Sequence, residues 1–438
     1  MARTKAKASG ARVQSGRWLI GDRKWPIVVI ICVAVVAILL FLAQDPRTLH
    51  VRSALAAGDP GFPDYIATLI DAPVTSGDTY EVLQNGDQFY ASMLAAIRGA
   101  KRTIALETYN FNKGEIGETF TVALVEAATR GVKVRLVLDA FGASAPPDRL
   151  DERIEKAGGL VHWFNQIGPW TVESTNTRTH RKLLVVDSEV GYTGGAGIAD
   201  TWVGNARNKE EWRDTQFKIT GPAVRLLEAC FFENWLEAGG EGEPVLHEQP
   251  ATASRDTRSV VIWSNPVGGV SNVKQLYLYS IAAARESIDI QSPYFVPDAS
   301  GRAALKEART RGVKVRILSD GDQTDAKSVK HASRRTYQRL LDDGIEVYEY
   351  VPTMMHAKLM VVDRTWTVMG SGNFDNRSLE LNDEITVAVF DRGLSRTLTG
   401  AFENDLRQSK QWTRDNWPKR PWHWKVREVF WGIFGEVF

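Results

Sequence analysis

The hydrophobic positions of this chain first gather into one unbroken run. Residues 26–43, PIVVIICVAVVAILLFLA, hold 18 positions without a charge, and as a helix they would extend about 27 Å, near the hydrocarbon thickness of a bilayer. A transmembrane anchor is the expectation. A cleaved signal peptide has a shorter apolar core, about 7 to 15 residues, and the nearest A-x-A, Ala54 to Ala56, lies well past the end of this run. Before it, residues 1–25 form a basic tail, with Arg3, Lys5, Lys7, Arg12, Arg17, Arg23 and Lys24 against Asp22 alone. Only Arg47 and Arg52 follow closely. The positive-inside rule then puts the N-terminus in the cytoplasm and the bulk of the chain outside it.

After a Pro-, Gly- and Asp-punctuated spacer, residues 44–77, the pattern alternates between helical and strand periods. Residues 87–97 have helical apolar spacing, TIALETYNF reads as a buried strand, and a helix over 118–130 precedes the strand VKVRLVLDA. A helix over 150–157 and a strand over 160–164 follow. This β-α-β alternation predicts a layered α/β domain. Residues 165–176 read as a loop whose Trp170 either shapes substrate access or packs on the surface. Residues 239–257, opening GGEGEPVLHEQPATASRD, have no period and read as a linker. Beyond it the first half returns. ARESIDIQSPYFVPD is similar to AKRTIALETYNF, TRGVKVRI at 310–317 nearly duplicates TRGVKVRL at 129–136, and RLLDDGIEVYEY echoes RIEKAGGLVHWF. The expectation is an internal duplication with halves at 78–238 and 258–411, each supplying half of one site.

The repeat extends to a polar constellation. THRKLLVVDSEVGYTGGAG, residues 179–197, carries His180, Lys182 and Asp187. MMHAKLMVVDRTWTVMGSGNFDNRSLELNDE, residues 354–384, carries His356, Lys358 and Asp363 at the same spacing. KLLVVD and KLMVVD read as strands, so each histidine and the lysine two positions on share a face. The aspartates have the opposite parity and read as structural acceptors. Two histidines and two lysines make up the set that phosphodiester chemistry needs without a metal: a nucleophile, a proton donor, and cations for the equatorial oxygens. Each histidine needs a carboxylate on its second nitrogen. Glu384, opening EITVAVF, and Asp214, opening DTQFKIT, are the candidates. Ser371, Asn373 and Gly195, in the glycine turns, are candidates for binding the substrate phosphate.

The doubled H-x-K-x-x-x-x-D pattern resembles the signature of the phospholipase D superfamily over roughly residues 78–411. The resemblance implies two similar α/β-sandwich halves, mixed sheets flanked by helices, with one active site at their interface. It also implies His180 as nucleophile forming a phosphohistidine, His356 as acid and later base, and neither cofactor nor metal. One departure stands out. The family's first motif commonly ends G-G-x-N, and here Gly197 occupies the asparagine position, which removes one amide donor and leaves Asn373 and the two lysines. QSPYFVPD, HAKLMVVD, GSGNFDNRSLELNDE and WRDTQFKITGPAV are further similar to bacterial cardiolipin synthases of the phospholipase D type. That similarity implies transfer of a phosphatidyl group between phosphatidylglycerol molecules with release of glycerol. With the anchor and its basic flank, the expectation is a single-pass protein of the bacterial inner membrane whose catalytic domain lies on the periplasmic or extracytoplasmic side.

Composition adds little to this. With 43% hydrophobic and 24% charged residues the chain is ordinary for a globular protein, and a net charge of +1 offers no basic field for nucleic acid. Cys32 and Cys230 are far apart and read as two buried thiols. In residues 412–438, Val426, Val429, Phe430, Ile433, Phe434 and Val437 fall on one helical face beside Lys419, Arg420, Lys425, Arg427 and five tryptophans. This stretch reads either as a membrane-surface helix or as a helix docked on the domain. Three other functions fit parts of the pattern: a phospholipase D that passes the intermediate to water, a nucleic-acid phosphodiesterase, and a non-catalytic lipid-binding module.

Overall fold

The computed structural model describes residues 48–166, 177–242, 256–264 and 271–432, with Val29 and Pro250. The expected basic tail and anchor (1–43), most of the loop around Trp170, the centre of the linker and residues 433–438 lie outside the described residues. Among those described, no helix is long and apolar enough to cross a membrane.

The strands in chain order are β1 (Val74–Ser76), β2 (Thr79–Gln84), β3 (Thr103–Thr108), β4 (Lys133–Asp139), β5 (Leu160–Phe164), β6 (Lys182–Val186), β7 (Val190–Gly194) and β8 (Thr215–Thr220). After the linker come β9 (Arg258–Trp263), β10 (Ser287–Gln291), β11 (Phe295–Val296), β12 (Lys314–Ser319), β13 (Glu346–Tyr350) and β14 (Leu359–Val362). The last four are β15 (Trp366–Gly370), β16 (Phe374–Asp375), β17 (Ile385–Phe390) and β18 (Ser409–Trp412). The first sheet runs β2-β8-β7-β6-β3-β4-β5. The second runs β1-β9-β17-β15-β14-β10-β12-β13-β18. From β9 to β13 the second sheet repeats the strand order of the first. Its parallel pairs, β10–β12 and β12–β13, stand where β3–β4 and β4–β5 stand in the first.

The motif strands β6 and β14 are central and buried along their whole length, which is why they read as continuous apolar runs rather than alternating ones. Their two faces meet different partners. Leu183, Val185, Leu359 and Val361 join one cluster with Phe217, Val261 and Val387, in which the two sheets and the helix Val224–Glu237 meet. Leu184 and Val186 turn to the helices of the first half, and Met360 and Val362 to those of the second. Period two thus delivers alternate side chains to the contact between the halves. Cys230 lies in that contact, fully buried.

The described part of the spacer, residues 48–77, packs on the domain: the helix Phe62–Leu69 sets Phe62 edge-on against Trp366 at 5.1 Å, and β1 pairs with β9. At the other end, β18 pairs with β13, and Trp412 and Trp417 are buried against Tyr337 and each other. The second half therefore extends past residue 411. The helix Trp422–Trp431 docks through Trp424, which stacks 3.6 Å from the Arg334 guanidinium carbon, and through buried Glu428, paired with Arg420 at 2.7 Å. Its Trp422, Val426, Val429 and Phe430 point outward and are exposed. The helix is thus docked by one face, and its opposite face is apolar and exposed.

The motif aspartates lie just past the strands, in tight turns. Asp187 and Ser188 have φ of 55° and 57°, and Asp363 and Arg364 of 50° and 53°. In each turn the residue after these two donates its N–H back across it, Glu189 to Val186 and Thr365 to Val362. This is the primed hairpin turn, whose left-handed residues Asp and Asn tolerate best. Each carboxylate also accepts three successive backbone N–H groups from the start of the neighbouring strand: Lys101, Arg102 and Thr103 for Asp187, and Arg285, Glu286 and Ser287 for Asp363. Asp363→Ala should strain the turn and leave the part-buried Ser287 N–H without its acceptor, lowering stability by about 1–2 kcal/mol in urea denaturation. Asp363→Asn, which keeps the turn geometry, should lose less, and equal losses would show that the turn conformation contributes nothing.

Candidate active site

The site is built by two one-pair parallel bridges between the halves, Thr179 with Asp383 and Arg213 with Met355. In the first, His180 N–H donates to the Asp383 carbonyl at 2.9 Å, and in the second, His356 N–H donates to the Arg213 carbonyl at 2.7 Å. One step further along each pairing, His180 comes beside Glu384 and His356 beside Asp214. Each motif histidine is thus served by the carboxylate of the other half. Both histidines precede their strands, which begin at Lys182 and Leu359. Each histidine still meets the lysine two positions on, as expected, but the histidines lie outside the strands and the bridges orient them.

Around His180, Nδ1 lies 2.8 Å from Glu384 Oε1, while Ser371 Oγ donates to Glu384 Oε2 at 2.5 Å. The Ser264 hydroxyl accepts the Glu384 N–H at 3.0 Å. Around His356, Nδ1 lies 2.9 Å from Asp214 Oδ2, which also accepts Trp202 Nε1–H at 2.9 Å. Asp214 Oδ1 accepts the Thr215 N–H at 2.7 Å. Both carboxylates are fully buried, whereas the histidine side chains keep 13% and 7% exposure. Each lysine folds back on its histidine, Lys182 Nζ and Lys358 Nζ both donating to the histidine carbonyl at 2.8 Å. Lys358 Nζ also lies within 3.1 Å of both His356 ring nitrogens.

His180 and His356 line one cavity of about 380 Å³, walled by Tyr109, Asn110, Trp202, Trp212, Tyr294 and Asn373 among others. It opens where β3 ends and β6 begins, at the carboxyl ends of the parallel strands, the usual ligand position of such sheets. Burial, assisted by the two lysines, pushes His180 down to about 4 despite the pull of Glu384. Burial and Lys358 lower His356 too. The neutral His180 ring donates from Nδ1 to the ionised Glu384 and leaves Nε2 with a free lone pair, the form a nucleophile requires. Burial likewise brings Lys182 down to about 7 and Lys358 to about 8. Two such desolvated cations favour an anionic phosphodiester, which relieves their burial cost.

Three expected phosphate ligands separate here. Asn373 lines the cavity, and its Oδ1 is buried without a hydrogen-bond partner among the described residues. Ser371 does not reach the cavity: it is fully buried and committed to Glu384, so it orients the carboxylate. Gly195 is corrected as well. A Cβ there would lie 2.3 Å from Asp214 Oδ1 and 2.7 Å from the His356 carbonyl, so the glycine admits Asp214 to its position and offers no side chain to a phosphate. Residues that the sequence reading left without a role are Trp202 and Trp212, whose rings lie 5.3 and 5.5 Å from His356, and Tyr109, 5.3 Å from His180. Another is Arg213, buried and paired with Asp405 at 3.1 Å. Arg213 sits inside the WRD triplet, where a charge directly before the carboxylate was the available signal.

Paired histidine–carboxylate couples with two buried lysines, on two sheets of matching strand order, define a two-motif phosphotransfer site of the phospholipase D type. The family described as "Cardiolipin synthase, PLD-like domain" matches the chain twice, over residues 93–211 and 277–406, and the chain belongs to that family. Cardiolipin synthase 1 of Bacillus cereus is 32% identical over 403 residues, covering 90% of this chain and 77% of that protein. Cardiolipin synthase A of Pseudomonas aeruginosa is 32% identical over 345 residues, covering 78% and 70%. Among solved structures, phosphatidylserine synthase from Haemophilus influenzae superposes with a TM-score of 0.63 at 13% identity over 86% of this chain and 97% of that one. Polyphosphate kinase from Porphyromonas gingivalis gives 0.52 at 15%, over 85% and 54%. At these identities the two structures speak for the fold alone.

The charge states set a pH profile. Neutral His180 is present above about 4, and charged Lys182 and Lys358 are present below about 7 and 8. On the alkaline side, kcat/KM for phospholipid in mixed micelles should therefore lose first the protonated His356, which burial and Lys358 hold below its usual value, and then the lysine charges as pH rises through 7 to 8. Lys182→Arg, whose guanidinium stays charged, should move that midpoint upward. An alkaline limb that Lys182→Arg leaves in place would remove Lys182 from the titration.

Proposed function

We propose that the chain is a phosphatidyltransferase of the cardiolipin synthase type, moving a phosphatidyl group from one phosphatidylglycerol to another. The observation that carries this reading is the pair of histidines, each braced by the carboxylate of the opposite half, facing one cavity. His180 Nε2 attacks phosphorus, forming the P–N bond as the P–O bond to the departing glycerol breaks. His356 gives that oxygen its proton. In the unliganded site burial and Lys358 keep His356 neutral, but the negative phosphodiester opposes both effects and favours the protonated ring. A hydroxyl of the second phosphatidylglycerol then loses its proton to His356 and attacks phosphorus, freeing His180. Lys182 and Lys358 hold the equatorial oxygens through both steps, and no step calls for a metal. The matching strand order and the doubled family match support an internal duplication as the origin of the two half-sites.

The reading extends to the membrane. An anchor over residues 26–43 with a cytoplasmic N-terminus would tether the catalytic unit to the bilayer that holds its substrate, on the extracytoplasmic side of a bacterial inner membrane. The outward Trp422, Val426, Val429 and Phe430 supply an apolar face suited to the headgroup region.

Incubated with phosphatidylglycerol in mixed micelles, the enzyme should release glycerol and form a four-chain lipid. Phosphatidic acid as the sole product would replace the transferase reading by hydrolysis. An acid-quenched phosphoenzyme should form in the wild type and disappear in His180→Asn, with turnover reduced on the order of 10³-fold or more; an adduct that persists would move the nucleophile to His356. For topology, protease added outside spheroplasts should digest the catalytic unit, and full protection would reverse the orientation.

A further inference from the structure

We infer that Asn110 supplies the phosphate-site amide that the first motif lacks at Gly197. The inference rests on the phosphotransfer reading of the cavity and names the ligand of one of its walls.

The two halves define equivalent positions through their pairing. Phe111 bridges Ile198 in parallel just as Phe295 pairs with Phe374. The residues immediately before these are therefore equivalent, Asn110 with Tyr294 and Gly197 with Asn373. In the second half the amide comes from the glycine-turn segment, at Asn373, and an aromatic stands on the neighbouring segment. In the first half the glycine-turn position is bare, and the amide stands on the neighbouring segment. The amide stands on opposite members of one parallel pairing in the two halves.

Geometry ties the exchange together. A Cβ at Gly197 would lie 2.7 Å from Asn110 Cβ, 3.1 Å from the Asn110 carbonyl and 3.4 Å from Asn110 Oδ1. The Asn110 side chain thus fills the space in which a side chain at 197 would begin. Gly197 is absent from the residues with left-handed φ, so its backbone does not demand glycine; its neighbour does. Asn110 is half-buried, and it lines the same cavity as His180, His356 and Asn373. Asn373, from the other half, lines the same cavity, with its Nδ2 donating to Ser378 Oγ at 3.3 Å. An amide on each side restores the two-sided clamp around an anion that the motif alone has lost.

The test is an exchange of positions, read on phosphatidylglycerol micelles and, separately, by competition with inorganic phosphate. Asn110→Ala should lower kcat/KM on the order of 10²-fold, the loss expected for one preorganised donor, and weaken phosphate inhibition about tenfold, with the thermal midpoint within a few degrees of wild type. Asn110→Asp, nearly the same shape but anionic, should be worse than Asn110→Ala in both readouts. Gly197→Asn alone should be damaged by collision with Asn110. The double variant Asn110→Ala with Gly197→Asn should recover most of the lost phosphate affinity and activity. Phosphate affinity unchanged in Asn110→Ala and Asn110→Asp would overturn the inference, as would a folded double variant no better than Asn110→Ala. A wild type that binds phosphate but makes no four-chain lipid would count against the transferase reading and leave the amide to the phosphate measurement.

Discussion

Everything in the site depends on two short pairings between the halves, Thr179 with Asp383 and Arg213 with Met355. A histidine and a carboxylate 204 or 142 residues apart are brought within hydrogen-bond distance by backbone N–H and C=O groups, not by their own charges. Such groups must be satisfied once buried, so the halves cannot shift by a residue without orphaning them. The large apolar contact behind them, from Leu183 and Val185 to Val361 and Val387, supplies the adhesion and the bridges supply the register. Catalytic geometry is thereby tied to the closure of the two halves on each other.

Burial then sets the charge states. Two histidines, two lysines and two carboxylates share one enclosed region, and desolvation is the first cause of displacement for all four bases. Against the effect of burial, the carboxylates are held below their usual range by their histidine partners first, then by Lys182 and Ser371 for Glu384 and by Lys358 and the Thr215 N–H for Asp214. The unliganded cavity is therefore poor in stabilised positive charge while holding groups ready to carry it. A phosphodiester anion is the ligand that such a site favours, because it relieves the burial of both ammonium groups at once. An amide contributes differently, since it donates at any pH, and the positions of Asn110 and Asn373 on either wall of the cavity suit that part.

At the far end of the chain, one helix answers two demands. Glu428 and Trp424 turn inward to Arg420 and Arg334, and Trp422, Val426, Val429 and Phe430 turn outward. A helix of this kind joins a rigid catalytic body to an apolar outer surface.

Much was legible in the sequence. The repeat TRGVKVR and the doubled histidine-lysine spacing identified two equivalent halves and the four central bases, because local period and repetition survive in one dimension. The aspartates at 187 and 363 could be set apart from the chemistry by parity, although a turn, not a continuing strand, is what removes them. Glu384 and Asp214 were visible as carboxylates opening strands, but which histidine each serves was not, since that is decided by pairings between segments more than 140 residues apart. For the same reason Ser371 and Gly195 looked like phosphate ligands until packing showed one bound to Glu384 and the other making room for Asp214. The sequence alone determined the inventory of groups and their division into two halves. Only the tertiary structure decided the crossed partnerships, the shared cavity and the lowered basicity, because register between the halves and loss of solvent exist only once the two sheets have closed on each other.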